Sequence, residues 1–169
     1  MYWKDFGHRA LVAAIVLLNV GLDQFTKKMV RMYVADHEQI RVISDRITLT
    51  RVENSGAFLS LGDAMHDTWK LLVLVLMPVA VLVGGLYFVL SRKQMPLYVL
   101  IGICCVIGGG AGNLYDRIVY GSVTDFLHID FGLFQTGVFN VADMSIMLGM
   151  GLILVNSVLK REQADGAYV

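Results

Sequence analysis

The sequence predicts an all-α membrane protein. Four transmembrane helices, with both termini on the cytoplasmic side (N-in/C-in), carry a small β-rich domain on the outer, periplasmic face. Three observations carry this expectation. The 169 residues are 56% hydrophobic and only 17% charged, with a mean hydropathy of +0.63, whereas soluble domains are roughly half apolar and about a quarter charged. Four apolar runs have the length of a bilayer-crossing helix. Lysines and arginines lie at the three places that one membrane face would share, the N-terminus, the short second loop and the C-terminus.

The whole chain, 1–169, reads as a single integral membrane domain with spans at about 10–30, 71–90, 97–116 and 138–159. In the first span Ala10–Leu22 is uncharged, and the helix must run on through Asp23 to reach the roughly 20 residues that a crossing needs. Lys4 and Arg9 before this run imitate a signal peptide, but no small-x-small cleavage site follows, so it reads as an uncleaved span. The second span has no charge, and neither does Leu97–Leu114 of the third. The fourth holds one ionisable residue, Asp143, a costly group in hydrocarbon and therefore a candidate for function. The segment 31–69 is the sizeable extramembrane piece. In it, "RITLTRVEN" alternates as a strand does, Asn54-Ser55-Gly56 marks a turn, and Asp67 is placed to cap the next helix. A small sheet over the outer face of the bundle is expected.

Arg92 and Lys93 in the short second loop, with Lys4 and Arg9 at one terminus and Lys160 and Arg161 at the other, place those ends in the cytoplasm. Lys27, Lys28 and Arg31 at the outer end of the first span run against this, but the short loop weighs more. At about 1.5 Å per residue, Asp23 then lies about 20 Å above Ala10, Asn113 about 24 Å above Leu97, and Asp143 only about 7.5 Å below Val138. Asp116 and Arg117 follow Asn113, and Asp125 lies on the outer connection. Polar groups from distant positions thus converge on one layer near the outer surface, which is the pattern of a site. Gly108-x-x-x-Gly112, Gly149 and Gly151 read as close helix packing. Adjacent Cys104 and Cys105 read as small core residues.

The residue types narrow the chemistry. Net charge is zero, so no nucleic-acid partner is expected. "HEQIR" has Arg41 where a zinc-binding helix needs its second histidine, and no G-x-S-x-G elbow occurs. "SLGD" ends on Asp63 in the loop and only approximates an aspartyl-protease motif. Carboxylates remain. Two of them brought together share a proton, and such a pair can activate water and protonate a carbonyl oxygen with no metal or cofactor. The same groups can bind a cation or relay protons, and spacing alone does not choose. An ion or proton pathway would need polar groups through the full membrane depth, which the inner halves of the later spans lack. A non-catalytic lipid-binding protein is the second alternative. Asp116 and Arg117 read either as an interfacial anchoring pair or as part of the site, and Asp23 as an acceptor for loop amides.

"GGGAGNLYDR" (108–117), "VTDF" (123–126) and "FNVAD" (139–143) closely resemble three motifs of the lipoprotein signal peptidase family, the type II signal peptidases. "DQFTK" (23–27) resembles that family's first-helix motif and "NSGAF" (54–58) its outer-loop motif. The loop motif departs from the family at Leu59, where a phenylalanine is usual, with Phe58 before it. The resemblance implies an intramembrane aspartyl endopeptidase of the bacterial inner membrane, its active site near the periplasmic face. It would remove signal peptides from prolipoproteins by cutting before a diacylglyceryl-modified cysteine. It implies Asp125 and Asp143 as the catalytic pair, with Asp23, Asn54, Asn113, Asp116, Arg117 and Asn140 as supporting groups. No cofactor or metal is implied. The expected partners are lipidated prolipoproteins and membrane lipid, and the chain is expected to be a monomer.

Overall fold

The protein's structure, a computed structural model, describes residues 2–43, 46–56, 66–92 and 94–165. Phe58, Leu59, Asp63 and Lys93 lie outside the described residues, as do the side chains of Lys4, Asp67, Lys160 and Arg161. In chain order the elements are α1 (Tyr2–Tyr33), β1 (Gln39–Ile43), β2 (Ile47–Asn54), α2 (Asp67–Lys70), a π-helical turn (Leu71–Leu76), α3 (Met77–Ser91), α4 (Leu97–Tyr120), β3 (Val123–Ile129) and α5 (Val141–Asp165). Among the described residues four helices are long and apolar enough to cross a membrane: Phe6–Tyr33, Thr68–Ser91, Leu97–Tyr120 and Val141–Leu159.

The second of these is continuous through the π turn. Pro78 has no N–H to donate, and its ring crowds the carbonyl four residues back, at Leu74. Widening of the helix over Leu71–Leu76, just ahead of α3, accommodates both effects.

Helix α4 is the centre of the bundle. Half of its apolar window is buried inside the protein, against 11% for each of the other three spans. It packs on α1, α3 and α5, and its glycines set how closely. Gly108 faces Val16 and Asn19 of α1, and Gly112 faces the Asp23 carboxylate. Gly102 faces Gly149, and Gly109 faces the Ala142 carbonyl at the start of α5. The close-packing reading therefore holds for Gly108, Gly112 and Gly149, while Gly151 has nothing within 4 Å. Cys104 and Cys105 are free and buried in the same interior. Gly121 ends the helix in the left-handed region, with φ 78°.

The alternating stretch forms β2, the middle strand of a three-stranded antiparallel sheet of order β1-β2-β3. Strand β3 occupies what reads in sequence as a plain connection. A register shift between Leu49 and Val52 separates the pairs Leu49↔Leu127 and Val52↔Asp125. Beyond it Asn54 pairs with Val123, so Asn54 and Asp125 are diagonal neighbours on one face. Val30, Val34 and Phe126 form the small core that seats this sheet on the end of α1. The Asn54-Ser55-Gly56 turn forms as expected, with the Gly56 N–H donating to Asn54 Oδ1 at 3.1 Å.

Helix α5 starts three residues later than the apolar run from Val138. Phe139 first bridges to Leu127, and Asn140 then caps the helix. A methyl group at Gly109 would meet the Ala142 backbone, whereas one at Gly151 meets open space. Gly109→Ala should therefore lower the thermal midpoint in detergent, by overpacking worth about 1–3 kcal/mol. Gly151→Ala should leave it unchanged or raise it, through the ~0.5–1 kcal/mol that alanine gains over glycine in a helix. Equal effects of the two would refute this account of α4–α5 packing.

Candidate active site

The site begins with the unpaired N–H groups at the start of α5. Asn140 Oδ1 accepts from the Asp143 N–H at 3.0 Å, and Asp143 Oδ2 accepts from the Asn140 N–H at 3.1 Å. This reciprocal pair is a capping box built from Asn and Asp. The Ala142 N–H between them donates to Asp23 Oδ1 of α1 at 3.0 Å. Asp23 is thus an acceptor for helix amides from a distant part of the chain, not for loop amides. Asp143 sits in the first turn of α5, where its charge is favoured by the helix dipole.

Asp125 projects from β3 and is 5% exposed. Its Oδ2 accepts from Asn54 Nδ2 at 3.0 Å, the diagonal pair across the strands, and its Oδ1 from Asn140 Nδ2 at 2.6 Å. Asn113 of α4 joins the two halves. Its Nδ2 donates to Asp143 Oδ1 at 2.9 Å, and its Oδ1 accepts from Asn140 Nδ2 at 3.2 Å. Each carboxylate oxygen of Asp125 and Asp143 therefore has an amide donor, and each carboxylate keeps further acceptor capacity. Burial is the main cause that pushes Asp125 up to about 6, and the nearby Asp143 charge adds to it. The Asn54 and Asn140 hydrogen bonds and the Lys27 charge act the other way.

Beneath the asparagines lies a buried charge cluster. Lys27 is fully buried, and its three N–H groups meet Asp23 Oδ2 at 2.9 Å, Asp116 Oδ2 at 3.1 Å and Asn113 Oδ1 at 2.8 Å. Gln24 donates between Asp23 and Asp116. Arg31 pairs with Asp116 at 2.9 Å and donates through Nε to Thr124 Oγ1 at 2.8 Å. Asp116 Oδ2 also accepts from the Thr124 N–H at 3.3 Å.

Asp116 and Arg117 are thus not an interfacial pair with each other. Neighbours on a helix point about 100° apart; Asp116 is fully buried against α1, while Arg117 Nη2 donates to the Gly56 carbonyl at 3.1 Å. Gln24, Lys27, Arg31 and Thr124 were not singled out from the sequence as site residues. The signal for Lys27 and Arg31 was present as basic residues at the awkward end of a span.

One cavity of about 390 Å³ is lined by Asp125, Asp143, Asn54, Asn113 and Arg117 on its polar side. Its apolar side includes Leu74 of the π turn, Met77 and Pro78 just after it, and Met147 of α5. Asp23, Asp116 and Asn140 stand behind this surface and support it. Among the described residues, no three His, Cys, Asp or Glu side chains are grouped to hold a metal ion.

Fold and cavity define a class: a multi-pass membrane protein whose polar groups gather at one end of a helical bundle around two aspartates. The family model described as signal peptidase (SPase) II matches residues 15–159. The chain belongs to that family and is a protease. It is 33% identical over 154 residues to a lipoprotein signal peptidase of Streptococcus pneumoniae, covering 91% of this chain and 95% of the relative. It is 37% identical over 148 residues to one of Brevibacillus brevis, covering 86% and 91%. A bacterial membrane enzyme solved by the in meso method at 2.3 Å resolution matches with a TM-score of 0.78 and 25% identity, over 89% of this chain and 88% of that one.

Lys27→Met keeps the length of the side chain but leaves Asp23 and Asp116 buried without their shared cation. The expected loss is about 3–5 kcal/mol of stability, read as a lowered unfolding midpoint of the purified protein in detergent. A midpoint within error of the wild type would mean that the cluster does not hold the bundle together.

Proposed function

We propose that this family member removes signal peptides from lipid-modified bacterial prolipoproteins, with Asp125 and Asp143 as its catalytic pair. The chain acts as a single integral membrane domain of the inner membrane, with its termini in the cytoplasm and the 31–69 segment and the site at the outer face. The observation that carries the reading is that the two aspartates line one cavity and are tied to each other through Asn140, which bonds both, with Asn113 bridging Asn140 and Asp143. The topology gains support from Lys27 and Arg31. Both are spent in the buried cluster, so they do not count against the positive-inside rule as free loop charges.

The division of labour follows from the surroundings. Asp23, Asp116, Asp125 and Asp143 face Lys27, Arg31 and Arg117, so four acids meet three cations, and one proton shared by the pair balances the layer. Burial raises the Asp125 carboxyl above the ordinary carboxylate range, which favours Asp125 as the member that carries that proton. Asp143, which accepts from Asn113 and from the start of α5, remains the base. A water between them attacks the scissile carbonyl carbon and gives a proton to Asp143, while Asp125 protonates the carbonyl oxygen. The resulting gem-diol collapses as Asp143 returns the proton to the leaving amide nitrogen and the C–N bond breaks. The carbonyl oxygen's proton goes back to Asp125. Arg117 holds the turn that follows Asn54 and adds positive charge near both aspartates.

Asp125→Asn and Asp143→Asn should each abolish cleavage of a lipidated precursor, with folding and insertion retained, because an amide keeps the shape but cannot exchange the proton. Near-normal turnover by either variant, measured as released signal peptide, would sink the aspartyl mechanism.

Asn54→Ala removes a bond that holds the Asp125 pKa down, so that pKa should rise above about 6. The rate falls as pH climbs through the pKa of the proton-bearing acid. The alkaline limb of kcat/KM against pH should therefore move to higher pH in this variant, with some residual rate. A limb that stays put or moves down would contradict the assignment of the proton to Asp125.

A further inference from the structure

The end of the bundle away from the aspartates holds a smaller cavity, of about 190 Å³, where three helices meet. Phe88 and Arg92 come from the end of α3, Val99 from the first turn of α4 and Asn156 from α5, with Gln94 and Met95 from the connection between α3 and α4. Asn156 follows Asp143 by 13 residues of one helix, which puts this cavity about 20 Å from the aspartate layer.

The charged group here is a cation without a partner. The Arg92 guanidinium lies over the Phe88 ring at 5.6 Å, and among the described residues no carboxylate pairs with it. Asn156 Oδ1 accepts from the Tyr98 hydroxyl at 3.0 Å, so the oxygen of that amide is occupied. Its Nδ2 has no acceptor among the described residues. Gln94 is exposed beside them. The base of the cavity is apolar: Phe88, Met95 and Val99, with Met95 packed onto the buried cluster that includes Val89 and Leu100.

We infer that this cavity binds the headgroup of an anionic glycerophospholipid, with the phosphate on Arg92 and the acyl chains along the lipid-facing flanks of α4 and α5. An arginine fork matches a phosphate with two parallel hydrogen bonds. The Asn156 and Gln94 amides supply uncharged donors for the remaining phosphate and glycerol oxygens. Position selects a lipid over a free anion. The membrane-capable helices end at Ser91 and Leu159 and resume at Leu97, so Arg92 and Asn156 stand where hydrocarbon gives way to headgroups. Leu97, Tyr98 and Val155 on the adjoining surface are 59%, 40% and 55% exposed, an apolar track for the chains. Charge selects an anionic lipid over a zwitterionic one. In sequence this end carries Lys4, Arg9, Arg92, Lys93, Lys160 and Arg161 against Asp5, Glu162 and Asp165, and an ammonium headgroup would meet Arg92 as a like charge. A lipid seated there bridges three helices, whatever reaction proceeds at their other end, and stabilises the folded bundle by mass action.

The test uses the full-length protein, delipidated in a neutral detergent and titrated with dioleoyl phosphatidylglycerol, dioleoyl phosphatidylcholine or inorganic phosphate. Native mass spectrometry should show one phosphatidylglycerol retained per chain. The unfolding midpoint should rise to a plateau with that lipid, respond less to phosphatidylcholine and not respond to phosphate at equal concentration. Arg92→Gln should raise the concentration needed for half the effect about tenfold, the loss of one charge-assisted pair. Asn156→Leu should raise it by a smaller factor. Arg9→Gln, at the same end of the bundle but outside the cavity, should leave it unchanged. A response to phosphate alone would mean an anion site without lipid and would overturn the assignment. So would equal responses to the two lipids, or equal weakening by Arg92→Gln and Arg9→Gln, because general surface charge would then account for the binding. Unchanged phosphatidylglycerol binding by Arg92→Gln would place the lipid elsewhere and overturn it as well. Each midpoint is read against the same variant without lipid, so a variant that is merely less stable still reports.

Discussion

A lysine ammonium with no exposure to solvent organises this bundle. Its desolvation costs several kcal/mol unless every N–H is met in good geometry. Here Lys27 finds acceptors on its own helix (Asp23) and on α4 (Asn113 and Asp116). The requirement runs both ways. Asp23 and Asp116 are equally buried and depend on the same cation. The register of α1 against α4 is therefore constrained by charge as well as by packing. Gly112 allows the approach, because the Asp23 carboxylate occupies the space that a side chain at that position would fill.

The influence of that cluster reaches the aspartate pair through the asparagine amides. Lys27 holds the Asn113 oxygen, which turns the Asn113 nitrogen toward Asp143. Asn140 spends its oxygen on the Asp143 N–H and its nitrogen on Asp125 and Asn113. Asp23 meets the Ala142 amide of the first turn of α5. The contacts that satisfy a helix N-terminus are thus the contacts that aim the site, and structural and functional roles fall on the same atoms.

The cleft that results is asymmetric. One limb pairs polar groups with the widened helix ahead of Pro78, a place where regular hydrogen bonding is already interrupted. The other is apolar and runs along the flank of α5 that lipid would cover.

The spans and the middle strand were legible in the sequence because they rest on local patterns: apolar runs without charge, and alternation along β2. The gathering of Asp23, Asn113, Asp116 and Asp143 at one depth was legible too, because rise per residue converts position into height. The motifs of the resemblance singled out Asp125 and Asp143 before any geometry. Rotation and pairing were not legible, since height along a helix does not say which way a side chain points. Only the folded chain paired Asp116 with Lys27 and Arg31 rather than with Arg117 beside it, and turned two apparently misplaced basic residues into the interior of a charge cluster. Only the sheet register laid Asn54 diagonal to Asp125, because a β-bulge shifts faces in a way that neither strand's sequence encodes alone. Strand β3 went unread because its first four residues are all buried, so no alternation marks them. The apolar cavity beside α5 arises between the turn 130–137 and the helix start, and it exists only once both are in place.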